Sequence, residues 1–144
     1  MKKLLKIVII LAIIGLGAAF IVYKFVYNQP HTNFEKAKAE FSLTAVDFYN
    51  EFINNKEAAS AKYNGKVVEI TSEVSKIESD TNIAYIVFVF SEGVFGDEGI
   101  RCDMLPDFIE DVKMLKTGDK VTVKGYCTGY NDTDVIMENC SIIK

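Results

Sequence analysis

At Lys66 the spacing of the apolar residues changes, and that change limits the soluble part of the chain to a mainly β fold carrying a few helices. Before it, Val46, Tyr49, Phe52 and Ile53 recur at helical spacing, with Phe48 beside them. After it, Val68, Ile70 and Val74 alternate with Glu69, Thr71 and Glu73, the period-two pattern of a half-buried strand.

The remaining elements follow from local signals. The Ala-, Glu- and Lys-rich stretch Phe34 to Phe41 reads as a helical extension. Thr44 with Asp47 three residues on forms a capping box for a helix of about ten residues that ends near Asn54-Asn55. A second short helix, Lys56 to Tyr63, stops at Asn64-Gly65. The first strand runs from Lys66 through Val74, and Ser79-Asp80-Thr81-Asn82 turns the chain. Ile83 to Phe90 is a second strand, apolar enough to be buried on much of both faces. Glu92 to Gly99 reads as a loop and Ile100 to Met104 as a short third strand. Pro106 suits the first turn of a helix whose stripe is Phe108, Val112 and Leu115. Lys120 to Tyr126 is a fourth strand, Gly129 to Thr133 a hairpin loop, and Val135 to Ile143 a fifth strand. The order strand, strand, strand, helix, strand, strand is that of an OB-fold-like five-stranded barrel.

Upstream lies a different kind of segment. Ile7 to Tyr23 carries no charge, and Leu4 to Tyr27 is interrupted only by Lys6 and Lys24. As a helix the longer stretch would measure roughly 36 Å, against a hydrocarbon core of about 30 Å. Tyr23 and Tyr27 suit the membrane interface. A cleaved signal peptide would end in the small residues Gly15 to Ala19, but the apolar run continues past them. Residues 1–27 are therefore expected to be a single-pass transmembrane anchor, 28–33 a tether, 34–65 an N-terminal helical segment and 66–144 the barrel. Lys2, Lys3 and Lys6 precede the span, which puts the N-terminus in the cytoplasm and the folded domain outside it.

Charge divides along the same line. The whole chain carries −4, and residues 1–30 hold four lysines and no acid, so the remainder carries −8. Nucleic-acid binding needs cations to replace the counterions along the phosphates. After residue 30 no two Lys or Arg are adjacent. The electrostatics argue against a general nucleic-acid binder.

Three stretches, in order and at this spacing, resemble the tRNA-anti-like OB-fold family of bacterial membrane-anchored proteins and lipoproteins. They are Lys62-Tyr63-Asn64-Gly65-Lys66 leading into Val68 to Thr71, then Lys116 to Tyr130, then Asp134 to Cys140. The resemblance covers roughly Thr44 to Lys144. It implies an OB barrel and no established activity. The chain lacks a lipoprotein cysteine before Cys102, and it has Ser72 where the family tends to have glycine in the first strand.

Catalytic sets are hard to assemble. The single histidine, His31, falls in the tether, and a serine or cysteine nucleophile usually needs a nearby base. The acids at Asp97-Glu98, Asp103 with Asp107, and Asp132 to Asp134 match no calcium loop. Cys102, Cys127 and Cys140 show no zinc spacing. If the third and fifth strands run side by side as in an OB barrel, Cys102 and Cys140 are the favoured disulfide pair, with three buried thiols the alternative. No enzymatic role, cofactor or metal is expected.

OB barrels bind on the outer face of strands two and three, where aromatics stack on bases or sugars. The candidates here are Tyr85, Phe88, Arg101, Tyr126 and Tyr130. The expectation is a membrane-tethered extracytoplasmic binding module for an envelope protein, peptide or glycan. A single-stranded oligonucleotide binder is the alternative.

Overall fold

A computed structural model describes residues 14–20 and 36–143. Most of the expected anchor and the whole tether lie outside the described residues. Contacts divide the chain into two units, Met1–Thr32 and Asn33–Lys144. In the first, residues 14–20 are helical and exposed. Among the described residues no helix is long and apolar enough to cross a membrane.

The second unit is a sheet with helices packed on it. A short strand, β1 (Phe41–Thr44), leads into α1 (Ala45–Asn54) and α2 (Lys56–Tyr63). Strands β2 (Val67–Glu73), β3 (Lys76–Ser79), β4 (Ala84–Gly93) and β5 (Gly96–Met104) follow. A 3₁₀ turn (Pro106–Phe108) and α3 (Ile109–Met114) then connect to β6 (Lys120–Tyr130) and β7 (Asp134–Ile143).

The helix signals act as the sequence implies. Thr44 Oγ1 accepts from the Asp47 amide at 3.2 Å and donates to the Asp47 carboxylate at 2.6 Å, closing the start of α1. Asn55 Oδ1 caps α2 by accepting from the Ala58 amide. Gly65 ends the pair at φ +79°, a left-handed conformation that costs glycine least. The helical extension expected over Phe34 to Phe41 does not form where the chain is described: residues 36–40 are turn and irregular, and Phe41 opens β1. The reason is pairing, since Phe41 to Thr44 lie parallel to Val68 to Thr71.

The sheet corrects the expected barrel. Seven strands replace five, in the open hydrogen-bonded order β1-β2-β6-β7-β5-β4-β3. The expected first strand is β2, and past Val74-Ser75 a further strand, β3, forms where none was expected: β2 pairs antiparallel with β6, whereas β3 pairs with β4. The switch is held by hydrogen bonds. Val74 N donates to Asp119 O at 2.9 Å, Ser75 N to Val87 O at 3.1 Å, and Val89 N to Ser75 Oγ at 2.9 Å. The change of partner therefore falls at Val74-Ser75, three residues past Ser72, which remains paired with Val121. Glu92 to Gly99 is not a loop. It forms the end of a β4–β5 hairpin closed by Val94-Phe95. As expected, β5 and β7, the strands of Cys102 and Cys140, run parallel and adjacent.

The core fills one side of this sheet. Val68, Ile70, Ile86, Phe88, Ile100, Val123 and Met137 are fully buried. Phe48 and Phe52 of α1 and Tyr63 of α2 seal it, with Phe48 and Tyr63 rings edge-to-face at 4.9 Å. Residues at alternate positions of β4, β5, β6 and β7 consequently face outward.

Candidate functional site

The outward positions converge on Arg101. It is the only arginine in the chain. In register it faces Val87 of β4 on one side and Ile136 of β7 on the other. Its guanidinium carbon stands 5.4 Å from the centre of the Tyr85 ring, within cation–π range. Its Nη1 donates to Glu78 Oε2 at 2.7 Å, and Lys76 approaches the other oxygen of Glu78 at 3.1 Å. These two cations hold the Glu78 carboxyl below the usual carboxylate range, Arg101 foremost. Glu78 in turn raises Arg101.

Acids border this group. Tyr85 pairs directly with Asp103, and Tyr126 with Glu138. Partial burial, and to a lesser degree the Glu138 charge, push the Asp103 carboxyl up. Asp134 is already used: its Oδ1 accepts from the Gly99 amide at 3.1 Å. Beside Tyr85 a shallow depression of about 200 Å³ is lined by Glu78, Ser79, Asp80, Ile83 and Tyr85. It is smaller than the roughly 300 Å³ at which small-molecule pockets begin. A space of that size fits one side chain or one sugar ring as part of a larger ligand.

The five expected ligand-binding residues separate. Tyr85 and Arg101 stand together on the outer face. Tyr126 shares that face on β6, with its hydroxyl directed toward Gly65. Phe88 does not belong to the site: it is fully buried. The apolar run Ile83 to Phe90 hides which way each residue points, and pairing with Ile100 turns Phe88 inward. Tyr130 is also displaced. It packs on Phe52 of α1 at 5.9 Å and lies under Lys56, away from Arg101. Sequence reasoning missed Glu78 and Lys76, and weighed Asp103 only as a calcium ligand. Glu78 and Lys76 lie in β3, between the end of the expected first strand at Val74 and the turn cluster at Ser79, where the sequence pattern assigns no strand.

Cys102, Cys127 and Cys140 are buried free thiols. Cys140 and Cys102 are in side-chain contact, and burial pushes the Cys140 thiol well above its usual range. Cys127 is pushed up to about 12 by burial. Among the described residues no group of three or more His, Cys, Asp or Glu is arranged to hold a metal ion.

No curated protein matches the chain. A lipoprotein of proposed nucleic-acid binding from Klebsiella pneumoniae subsp. pneumoniae MGH 78578 is similar over 81% of this chain and 100% of its own, with 19% identity and a TM-score of 0.52. That likeness is one of fold. Asparaginyl-tRNA synthetase from Pyrococcus horikoshii matches 58% of this chain and 21% of its own at 15% identity and a TM-score of 0.40. Aspartyl tRNA synthetase from Entamoeba histolytica matches 75% and 26% at 8% identity and a TM-score of 0.42. The tRNA_anti-like family model matches residues 1–142, so the chain belongs to the tRNA_anti-like family.

Proposed function

We propose that the protein is a membrane-tethered, extracytoplasmic binding module without enzymatic activity, and that its ligand is a peptide, protein surface or glycan. The observation that carries the reading is the Arg101–Tyr85 pair, fixed by Glu78 on the outer face of β4 and β5. A flat ring and a directed guanidinium offer stacking and hydrogen bonds. The surrounding acids Asp103 and Glu138, with the −8 charge after residue 30, disfavour a polyanion. They favour hydroxyl-rich or cationic partners. The uncharged run Ile7 to Tyr23 supports the tether, and the lysines before it support the orientation.

The test is retention of a partner from envelope extract by the detergent-solubilised full chain, compared with Tyr85→Ala and Arg101→Ala. Loss of the partner with either variant is the expected result; retention with both refutes the site. Protease added to spheroplasts should cut residues 36–143. Protection until lysis would refute the placement.

A second reading is favoured by the same stacking pair and by the nucleic-acid binding proposed for the Klebsiella lipoprotein. Single-stranded oligonucleotides would lie across Tyr85 with Arg101 on a phosphate or base edge. A gel shift at low salt that fades as salt rises, and that Arg101→Ala abolishes, would establish it in place of the first.

A further inference from the structure

The β4–β5 hairpin ends in a way that a free hairpin should not. Its turn residues, Val94 and Phe95, are 95% and 94% exposed. Two-residue hairpin loops favour Asn, Asp or Gly at positive φ. Neither Val94 nor Phe95 has positive φ, and Gly96 beside them takes φ +120° instead. Turn geometry therefore does not ask for these side chains, and water does not favour them. One step down the stem, Glu92 faces Asp97 directly. Like charges opposite each other destabilise a strand pair. Both are exposed, and neither side chain makes a hydrogen bond or ion pair among the described residues. Two independent local choices thus work against the hairpin on its own.

The stem beneath is held firmly. Tyr49 of α1 packs its ring on Phe90 at 5.3 Å. Ser91 Oγ donates to Glu98 Oε2 at 3.0 Å, and the Tyr49 hydroxyl lies 3.5 Å from the same oxygen. The Glu98 side chain lies close over Gly93, where a Cβ would fall 1.7 Å from its carboxylate oxygen. The tip is therefore presented from a fixed base, which lowers the ordering cost of binding.

We propose that the Val94-Phe95 tip is a docking knob for a protein partner, entering an apolar pocket rimmed by Lys and Arg side chains. The apolar tip fits the pocket. The opposed Glu92 and Asp97 carboxylates fit the cationic rim, which would relieve their mutual repulsion. An anionic lipid surface would be repelled by the same acids. A second copy of this chain would bring carboxylates of the same sign to the contact.

The test uses the full chain in its own host, with Phe95→p-benzoyl-L-phenylalanine as a photocrosslinker. Met114, exposed on α3, is the control position. The expected result is one discrete protein adduct from position 95 and none from 114, with the crosslinked partner residue lying among apolar and basic side chains. Glu92→Lys with Asp97→Lys should lower the adduct by about tenfold or more. Glu92→Gln with Asp97→Asn serves if the lysine variant fails to fold. A lipid adduct, a self-adduct, no adduct beyond the control, or an adduct indifferent to the charge changes would overturn the proposal.

Discussion

The sulfur of Cys140 occupies the space that a side chain on Gly125 would fill: a Cβ there would lie 2.3 Å from Sγ and 3.3 Å from the Glu138 carbonyl oxygen. Pairing between β6 and β7 is irregular at this point, between Lys124 and Tyr126. Asn139, on the opposite strand, takes φ +53°. Overpacking a filled core costs about 1–3 kcal/mol, so Gly125→Ala should destabilise by that amount. Removing the sulfur in Gly125→Ala/Cys140→Ala should cost less than the sum of the two single changes. Urea unfolding of the four proteins measures this. A Gly125→Ala variant as stable as the parent would refute the packing.

The contact between Cys102 and Cys140 leads to a second prediction. The two thiols meet across adjacent parallel strands, whereas Cys127 has its sulfur 3.9 Å from Asn64 Oδ1. Folding in the presence of oxidised glutathione should join Cys102 to Cys140, with two glutathione thiols as the reduced product, and leave Cys127 free. Peptide mapping after alkylation without reductant reads this directly. In the folded protein Cys127 should resist iodoacetamide at neutral pH, because burial pushes its thiol up to about 12 and little thiolate exists. Three thiols alkylated in the denatured, unreduced protein would rule out the bond.

Legibility followed the strength of local signals. Thr44 and Asp47 are enough to start α1, and Asn64-Gly65 to end α2, because a cap is made by a few neighbouring residues. The extent of β4 and β5 was hidden because Val94 and Phe95 are not the residues a tight turn prefers. The change of partner at Val74-Ser75 leaves no mark in apolar periodicity, since it depends on Asp119, in the turn before β6, and on Val87 of β4, both outside the strand itself. The site was half legible. Residue type singled out Tyr85 and Arg101, but the inward turn of Phe88 and the approach of Glu78 come from register, which one sequence does not carry.

The helices should prove part of the core rather than an appendage. Phe52 is almost fully buried and stacks toward both Tyr63 and Tyr130. Phe52→Ala should cost about 3–5 kcal/mol. Chemical denaturation that shows a loss under 1 kcal/mol, or a separate earlier transition for α1, would contradict that. Arg101→Ala, by contrast, removes a half-exposed pair and should change stability by less than about 1 kcal/mol.

Acid stability separates the two carboxylates at the site. Glu78 is held below its ordinary 4.5 by Arg101 and then Lys76. Between its folded value and 4.5 the unfolded chain binds more protons, so this contribution is complete above 4.5 and is lost as pH falls through the folded value. Asp103 is shifted the other way, above its ordinary 3.8, by burial first and Glu138 second. The folded chain binds the proton more tightly there, so ionised Asp103 opposes folding, and that penalty grows as pH rises from 3.8 through the folded value. Glu78→Gln should therefore flatten the loss of stability on acidification below 4.5. Asp103→Asn should raise stability at neutral pH and leave it nearly unchanged in strong acid. Melting temperatures of the parent and both variants across the acid range test the pair. Parallel curves for Glu78→Gln and the parent would mean that Arg101 does not hold Glu78 in solution, and with it would go the rigid guanidinium on which the binding face depends.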